Sequence, residues 1–258
     1  MTKQRVSRAK VRENLAPAPL FVLVEPQMGE NIGAAARAML NFGVSGLRLV
    51  NPRDGWPNPK AAATASGASI VIDETEVFTC VADAIADCNY VVATTARVRE
   101  LTTPVLEPAA AASNLRARIS EGQRCAVLFG GERNGLSSDD VARANAIVTA
   151  PVNPAFASIN LSQAALLIAY EWAKSAGDAA PQAAGGGDGL AHHADVERLS
   201  QHFIDELDDA GFFFPPEKRS GMIRNLRAAF AHAGFSAAEV RTLRGAIKAL
   251  VSSRNARN

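Results

Sequence analysis

Short apolar runs, rich in β-branched residues, alternate with helical segments over the first 175 residues of the chain. The runs that predict strands are residues 20–25, 47–50, 69–72, 90–93, 126–129 and 146–149. The segments that predict helices are 33–41, 81–87, 115–119 and 139–144, followed by a longer helix that begins near Asn160. Strands that alternate with helices predict an α/β fold with a mainly parallel sheet. Most of these strands are apolar throughout, which indicates that both faces of the sheet are covered.

The composition changes after residue 175. Residues 176–194 are rich in Ala and Gly and predict a flexible linker. Phe212, Phe213 and Phe214 are predicted to give an aromatic core to a small bundle of three helices, at 195–210, 218–232 and 237–252. The predicted domains are a basic N-terminal tail at 1–18, an α/β domain at 19–175, the linker at 176–194 and a helical C-terminal domain at 195–258.

The charge is distributed unevenly, although the net charge of the whole chain is only +1. Residues 1–16 carry five Lys or Arg against one Glu, and residues 211–258 carry nine Lys or Arg against two Glu. Basic ends on an acidic body favour a polyanionic partner that contacts the termini. A solubilising tail and a solvated helix face explain the same charges, so charge alone leaves both interpretations open.

No stretch of the sequence is apolar over the roughly 20 residues that a membrane-spanning helix needs, and no signal-peptide pattern follows the basic N-terminus. We therefore predict a cytoplasmic protein without a membrane partner. The cysteines Cys80, Cys88 and Cys125 form no CxxC pair, which predicts reduced thiols rather than a disulfide framework or a zinc site. The four histidines all lie in the linker or the tail, where His192 and His193 are predicted to be solvated, so no metal is expected.

Three segments rich in Gly, Asn and small residues each follow a predicted strand. They span residues 25–43, 127–137 and 150–172. In an open parallel sheet, ligands bind in the crevice outside the carboxyl ends of the strands. The three segments are therefore the candidate sites.

Each of these segments also has an ordinary structural explanation when it is taken alone. Arg37 in the first is either a surface cation or a bidentate clamp for phosphate. In the second, Gly130 and Gly135 have the GxxxxG spacing of a phosphate-binding loop. Leu136 stands where that loop needs Lys, however, so a plain tight turn is the alternative. Ser158 in the third lies at a helix start, whose free amides either bind an adenine edge or a carboxylate or are simply capped.

Taken together, the three segments resemble a known family. NIGAAARA, LFGGERNGLS and SINLSQAALLIAYE resemble, in order and separation, the three motifs of the SpoU branch of the SPOUT RNA methyltransferases, over residues 19–172. A closer resemblance is to the bacterial enzymes that methylate the ribose 2′-hydroxyl of cytidine or uridine 32 in tRNA. It rests on LVEPQMGENIGAAARAM, RLVNP, VVATTARVRE and the helical tail. One departure is Gly131, where many relatives carry a larger residue.

The resemblance implies a fold, a cofactor and a substrate. The fold is a parallel α/β sheet with a C-terminal trefoil knot, the methyl donor is S-adenosylmethionine, and a homodimer binds tRNA. The residues implied to line the cofactor site are Thr94, Thr95, Ala96, Gly130, Gly131, Ala150, Ala157, Ser158, Ile159 and Leu161. The implied catalytic residues are Arg37, Asn31, Glu132, Ser158 and Asn160, and the implied RNA contacts are Arg97 and Arg99.

The resemblance also implies that Arg37 of one subunit reaches the cofactor of the other. A guanidinium is effectively never deprotonated in proteins, so proton abstraction by Arg37 is not expected. We expect it to stabilise the developing alkoxide and the adjacent phosphate. The other four implied catalytic residues are expected to orient Arg37, the ribose and the loops.

Two other classes of function are weighed against this one. A non-catalytic RNA-binding protein explains the basic ends but not three Gly- and Asn-rich loops at strand ends. A nucleotide-dependent enzyme of Rossmann type is disfavoured because its GxGxxG fingerprint is missing. Within the preferred class, the alternative is the same chemistry at another tRNA site or on ribosomal RNA, because a fold does not fix a substrate.

Overall fold

The computed structural model describes residues 15–95, 103–177 and 189–255. The strands in these ranges are β1 (Leu20–Val24), β2 (Leu47–Val50), β3 (Glu76–Phe78), β4 (Tyr90–Thr94), β5 (Val105–Leu106), β6 (Cys125–Gly130) and β7 (Ala146–Val148). They form one sheet in the order β3-β2-β1-β6-β4-β7-β5, and every neighbouring pair is parallel. The predicted parallel α/β sheet is confirmed, and the trefoil knot stays a prediction.

Helices cover both faces of the sheet and continue beyond it. In the described ranges they are α1 (Gly29–Asn41), α2 (Pro59–Ala65), α3 (Ser69–Asp73), α4 (Val81–Ala84), α5 (Pro108–Ser120), α6 (Ser138–Val141), α7 (Leu161–Lys174), α8 (His193–Asp209), α9 (Arg219–His232) and α10 (Ala237–Asn255). Within that described part of the chain, no helix has the length and apolar character needed to span a membrane.

The two faces of the sheet bury separate apolar cores. Successive side chains of a strand point to opposite faces, so Phe21 of β1 belongs to one core and Val22 to the other. The first core lies under α1, α3, α5 and α7 and contains the ring pair Phe21 and Phe129, with centroids 4.9 Å apart. The second core lies under α4 and α6 and includes Leu128 and Ile147. Burial on both faces explains why these strands are apolar throughout.

The small residues of α1 allow an unusually close approach to α2. A Cβ added at Gly33 would lie 2.2 Å from the backbone oxygen of Ala61, so only glycine fits at this position. Asn58 fixes the start of α2, because its Oδ1 accepts hydrogen bonds from the amides of Lys60 and Ala61. The sequence NIGAAARA therefore has a packing role as well as its position after a strand.

A buried arginine holds the edge of the sheet. Arg48 of β2 is 5% exposed, and its guanidinium donates to Glu76 of β3 at 2.8 Å and to both carboxylate oxygens of Asp87. The hydrogen bond from Arg48 lowers the pKa of Asp87 to about 2. β3 was not predicted because this three-residue strand contains a charged Glu and lacks a buried apolar run. Its Phe78 is only partly buried, at the edge of the second core.

The predicted strand at residues 69–72 is wrong. These residues form the single-turn helix α3, and Ile70, Val71 and Ile72 are all buried against the first core. A run of three apolar residues fits a buried strand and a buried helical turn equally well. Ser66, with φ 43°, and Gly67, with φ 102°, turn the chain directly before it.

Several predicted boundaries also shift. α1 begins at Gly29, four residues before the predicted start, and α5 begins at Pro108 rather than at 115. Pro is favoured in the first turn of a helix, where its missing N–H costs no hydrogen bond. The helix α2 and the two-residue strand β5 were not predicted, because their short sequences carry no periodic pattern.

The last three helices pack around a small core of their own. Leu199 of α8 and Val240 of α10 are buried there, with Phe230 and Phe235 packed against them. The predicted aromatic core at residues 212–214 is wrong for two of its members. Phe213 is buried, whereas Phe212 is 50% exposed and Phe214 is 79% exposed, because the chain turns sharply at this loop.

A buried polar cluster joins the C-terminal helices to the sheet, and we call it the latch (Asn145, His193 and the carbonyl of Ala231). Asn145 Oδ1 accepts from the amide of Val91 at 2.7 Å and lies 2.9 Å from His193 Nε2. Asn145 Nδ2 donates to the carbonyl of Ala231 in α9. The amide of His193 donates to the carbonyl of Cys88 at 2.8 Å. The prediction that His193 is solvated is therefore wrong.

Burial lowers the pKa of His193 to about 4, and Arg143 adds to this effect while Glu197 opposes it. The folded state therefore keeps His193 neutral, whereas the unfolded chain takes up the proton near the ordinary imidazole pKa of about 6.5. The contribution of neutral His193 to the free energy of unfolding is therefore complete above about pH 6.5 and is lost as the pH falls towards 4.

We predict that lowering the pH from 7 to 5 reduces the free energy of unfolding by roughly 2 kcal/mol through His193 alone. His193→Gln keeps an N–H donor but cannot titrate, so it should lose this part of the pH dependence. Urea unfolding of both proteins at both pH values measures the difference. The same pH dependence in both proteins would contradict the assignment.

Candidate active site

A cavity of about 690 Å³ opens at the carboxyl ends of β4, β6 and β7. The structure places along its wall nine of the ten residues implied to bind a cofactor, namely Thr94, Thr95, Gly130, Gly131, Ala150, Ala157, Ser158, Ile159 and Leu161. The tenth, Ala96, lies outside the described residues, as do Arg97 and Arg99. The parallel sheet brings the three strand-end segments together because all its strands end at the same edge.

The inner wall of the cavity is apolar. Phe129, Val148, Leu161 and Ile168 line it, and all four are buried. A hydrogen bond between two neighbouring strands supports this wall, because Thr94 Oγ1 at the end of β4 donates to the carbonyl of Leu128 in β6 at 2.8 Å. A flat, apolar ring system with polar edges suits such a wall, because the exposed backbone groups of the loops can pair with those edges.

The outer edge of the cavity is polar, and we call it the rim (Arg133, Asn134, Ser138, Arg224 and Asn225). Arg133, Asn134 and Ser138 are exposed and belong to the loop after β6 and the start of α6. Among the described residues, no group of three or more His, Cys, Asp or Glu is arranged to hold a metal ion. The cavity is therefore built for a ligand that is apolar on one side and polar on the other.

Two glycines let the loop after β6 fold back on itself. A Cβ at Gly130 would lie 2.2 Å from backbone atoms of residues 135 and 136, and one at Gly131 would lie 2.4 Å from the backbone oxygen of Glu25. The amide of Gly135 donates to the carbonyl of Gly131 at 2.9 Å and closes the turn. Gly131, the departure from the family pattern, thus fits a contact between this loop and the end of β1.

A chain of hydrogen bonds connects the three segments. Asn31 Nδ2 donates to Glu132 Oε1 at 2.6 Å, and the amide of Gln27 donates to Glu132 Oε2 at 2.8 Å. Asn160 Nδ2 in turn donates to Asn31 Oδ1 at 3.2 Å. Asn160 also caps α7, because its Oδ1 accepts from the amide of Ser162 at 2.9 Å. Three of the implied catalytic residues therefore form one network.

Arg37 lies apart from this network. Of the described catalytic candidates, Glu132 and Ser158 line the cavity, whereas Arg37, Asn31 and Asn160 do not. Arg37 is exposed on α1, six residues after Asn31, which places it on a different face of the helix. It therefore does not reach the cavity of its own chain.

Sequence reasoning missed one wall of the cavity. Gly221, Arg224 and Asn225 of α9 line it together with residues of the second and third segments. The basic charge of the tail was the only signal in the sequence, and it did not indicate which residues face the sheet. Their position depends on how the C-terminal helices pack against the sheet, which a local pattern does not encode.

Comparisons with known proteins agree with this geometry. Residues 18–170 match the family model for the SpoU rRNA Methylase family, and residues 194–258 match the model for the C-terminal domain of the tRNA methyltransferase TrmJ. The tRNA (cytidine/uridine-2′-O-)-methyltransferase TrmJ of Pectobacterium atrosepticum is 37% identical over 239 residues, which cover 89% of this chain and 95% of that protein. The protein of the same name from Cronobacter sakazakii is 35% identical, covering 91% and 96% of the two chains.

Solved structures give the same result. The crystal structure of TrmJ from Z. mobilis ZM4 has a TM-score of 0.81 and 45% sequence identity, and the match covers 91% of this chain and 99% of that one. A probable methylase family protein from Haemophilus influenzae Rd KW20 has a TM-score of 0.58 and 25% identity, with coverage of 92% and 97%. The chain therefore belongs to the SpoU methylase family and, within it, to the TrmJ group.

The geometry around Glu132 leads to a stability prediction. Two N–H donors face its two carboxylate oxygens, so Glu132→Gln must turn an NH₂ group towards one of them. We expect this half-buried mismatch to lower the free energy of unfolding by about 1 to 2 kcal/mol. Glu30→Gln is the matched control on α1, because Glu30 lies at the surface and its ion pair with Lys60 is solvent-exposed. Urea unfolding should show a clearly smaller change for the control, and equal changes would contradict the role of Glu132.

Proposed function

We propose that the chain transfers a methyl group from S-adenosylmethionine to a ribose 2′-hydroxyl of tRNA. The observation that carries this proposal is the cavity lined by the second and third of the segments that resemble the SpoU motifs, to which Asn31 of the first segment is hydrogen-bonded through Glu132 and Asn160. The TrmJ relatives, which are named as tRNA (cytidine/uridine-2′-O-)-methyltransferases, support tRNA as the substrate and the 2′-hydroxyl as the acceptor.

The residues of the cavity fit S-adenosylmethionine. A volume of about 690 Å³ is in the usual range for a cofactor of this size. The apolar wall at Val148, Leu161 and Ile168 suits the adenine ring, and the loops after β4, β6 and β7 offer backbone groups to its edges. When bound, the cofactor supplies an electrophilic methyl group on a sulfonium.

The protein groups then have to hold the ribose and balance charge. A hydroxyl is a poor nucleophile, so it must be held in line with the methyl group and lose its proton. Ser158 lines the cavity, where it can orient the ribose, and Asn160 caps α7, where it can hold the loop before that helix. Burial raises the pKa of the Cys88 and Cys125 thiols to about 12, so neither serves as a thiolate nucleophile.

We assign Arg37 the stabilisation of the developing alkoxide from across a homodimer interface. Its exposed position, outside the cavity of its own chain, supports a role in a second subunit's site. Exposed apolar side chains near α1 and α7 support such an interface: Met28 is 49%, Phe156 78% and Tyr170 47% exposed. Groups of exposed apolar residues are typical of surfaces that bind another protein.

We further propose nucleotide 32 of the anticodon loop as the target and the cytoplasm as the location. The closer resemblance to the enzymes that modify cytidine or uridine 32 supports this target. Arg97 and Arg99 and the basic ends of the chain are proposed to contact the phosphates of the RNA. Another tRNA position and ribosomal RNA remain the alternatives that an assay has to separate.

The function is tested by incubating the chain with labelled S-adenosylmethionine and unmodified tRNA, followed by mapping of the methylated nucleotide. We expect a 2′-O-methyl group at nucleotide 32. Methylation at another nucleotide, or of ribosomal RNA alone, would overturn the target and keep the chemistry. A chain that binds no cofactor would overturn the proposal.

A variant tests the role of Arg37. Arg37→Ala should lower kcat by about 100-fold or more, because one electrostatic contact to the transition state is lost. The affinity for S-adenosylmethionine should stay within about twofold, measured by calorimetry. Arg198→Ala is the matched control, since Arg198 is an exposed helical arginine paired with Asp195 outside the cavity. A large loss of cofactor affinity in Arg37→Ala would contradict a role on the RNA side.

A further inference from the structure

The cavity contains residues from a part of the chain that lies outside the family motifs. Gly221, Arg224 and Asn225 of α9 line it, more than 50 residues after Ile168, the last lining residue of the α/β domain. Gly221 presents no side chain, and in the described part of the chain the nearest atom outside the local helix backbone to a Cβ built there is Arg224 Nη2, at 4.0 Å. α9 is therefore one wall of the cavity, and the described residues leave space in front of Gly221.

The latch and two arginines hold α9 in this position. The carbonyl of Ala231, near the C-terminal end of α9, accepts from the buried Asn145 side chain. Arg227 of α9 lies 3.6 Å from Glu197 of α8, which also pairs with Arg143 of the α/β domain at 2.6 Å. These contacts are partly or fully buried, so they fix the helix more firmly than surface ion pairs would.

Arg224 brings a positive charge to the rim. Its ion pair with Asp139 is long, 3.9 Å between Nη1 and Oδ1, and the Asp139 side chain is 62% exposed. The Arg224 side chain is 36% exposed, and Asn225 and Ser138 line the same cavity. A guanidinium placed in this way binds oxyanions well, because it offers several N–H donors in a fixed plane.

We propose that α9 is a wall of the ligand site and that Arg224 binds an oxyanion at the rim. The oxyanion is either the carboxylate of S-adenosylmethionine or a phosphate beside the target ribose. Both groups are negatively charged and accept hydrogen bonds from the N–H groups of a guanidinium. The inference rests on the proposed function for the identity of the ligand. Beyond the proposed function, we infer that the C-terminal helical domain completes the ligand site of its own chain.

The wall is tested by filling the space in front of Gly221. Gly221→Trp adds a large side chain towards the cavity and replaces a poor helix former, so α9 itself should remain folded. Calorimetry of the full-length chain should show that the affinity for S-adenosylmethionine falls by roughly tenfold or more. The added side chain would occupy space that the ligand needs. Gly245→Trp on α10 is the matched control, because Gly245 does not line the cavity and none of the described residues, apart from the local helix backbone, approaches within 4 Å of a Cβ built there.

If Gly221→Trp and the unsubstituted chain bind S-adenosylmethionine with equal affinity, α9 is not a wall of the ligand site. Thermal unfolding of both Trp variants separates a blocked cavity from a damaged fold. If the unsubstituted chain binds no S-adenosylmethionine, the proposed function fails instead, so the two failures are distinguishable.

The oxyanion is tested with Arg224→Ala and Arg224→Lys, with Arg198→Ala as the control. A cofactor affinity that falls roughly tenfold in Arg224→Ala, with partial rescue by Lys, assigns the carboxylate. An unchanged cofactor affinity with a KM for tRNA raised by a similar factor assigns the phosphate. If neither quantity changes beyond the control, Arg224 binds no oxyanion and this part of the inference is wrong.

Discussion

The carboxylate of Glu132 joins segments of the chain that are about 100 residues apart. It accepts from the Asn31 side chain and from the amide of Gln27, and Asn31 in turn accepts from Asn160 at the start of α7. Each loop follows a different strand and has no regular backbone pairing of its own, so this network sets their mutual distances. The cavity keeps its shape because the loops that form it are tied to one another as well as to the sheet.

Much of the fold and most of the candidate site were predictable from the sequence. The strands β1, β4 and β6 are apolar throughout because they are buried on both faces, and such runs are recognisable without a structure. Once a parallel sheet is inferred, its carboxyl ends must share one edge, so loops distant in sequence are expected to meet. The resemblance to the family motifs then indicated which residues of the second and third loops line the cavity.

The errors arose where tertiary packing decides the outcome. Residues 69–72 form a helical turn although their β-branched side chains favour a strand, because both arrangements bury the same apolar atoms. His193 follows a Gly-rich stretch that predicts exposure, yet it is buried through a partner, Asn145, that lies 48 residues earlier. The place of Arg224 at the cavity likewise depends on the docking of a whole helical bundle, which no local pattern reports.

We propose that the cavity at the ends of β4, β6 and β7, with α9 as one wall, is the binding site of the methyl donor. A crystal structure of the full-length chain with S-adenosylhomocysteine, the product of the donor, tests this most directly. We expect the nucleoside against the apolar wall at Val148 and Leu161, and α9 alongside the rest of the ligand. A ligand bound elsewhere, or in a cavity from which α9 has moved away, would contradict the account.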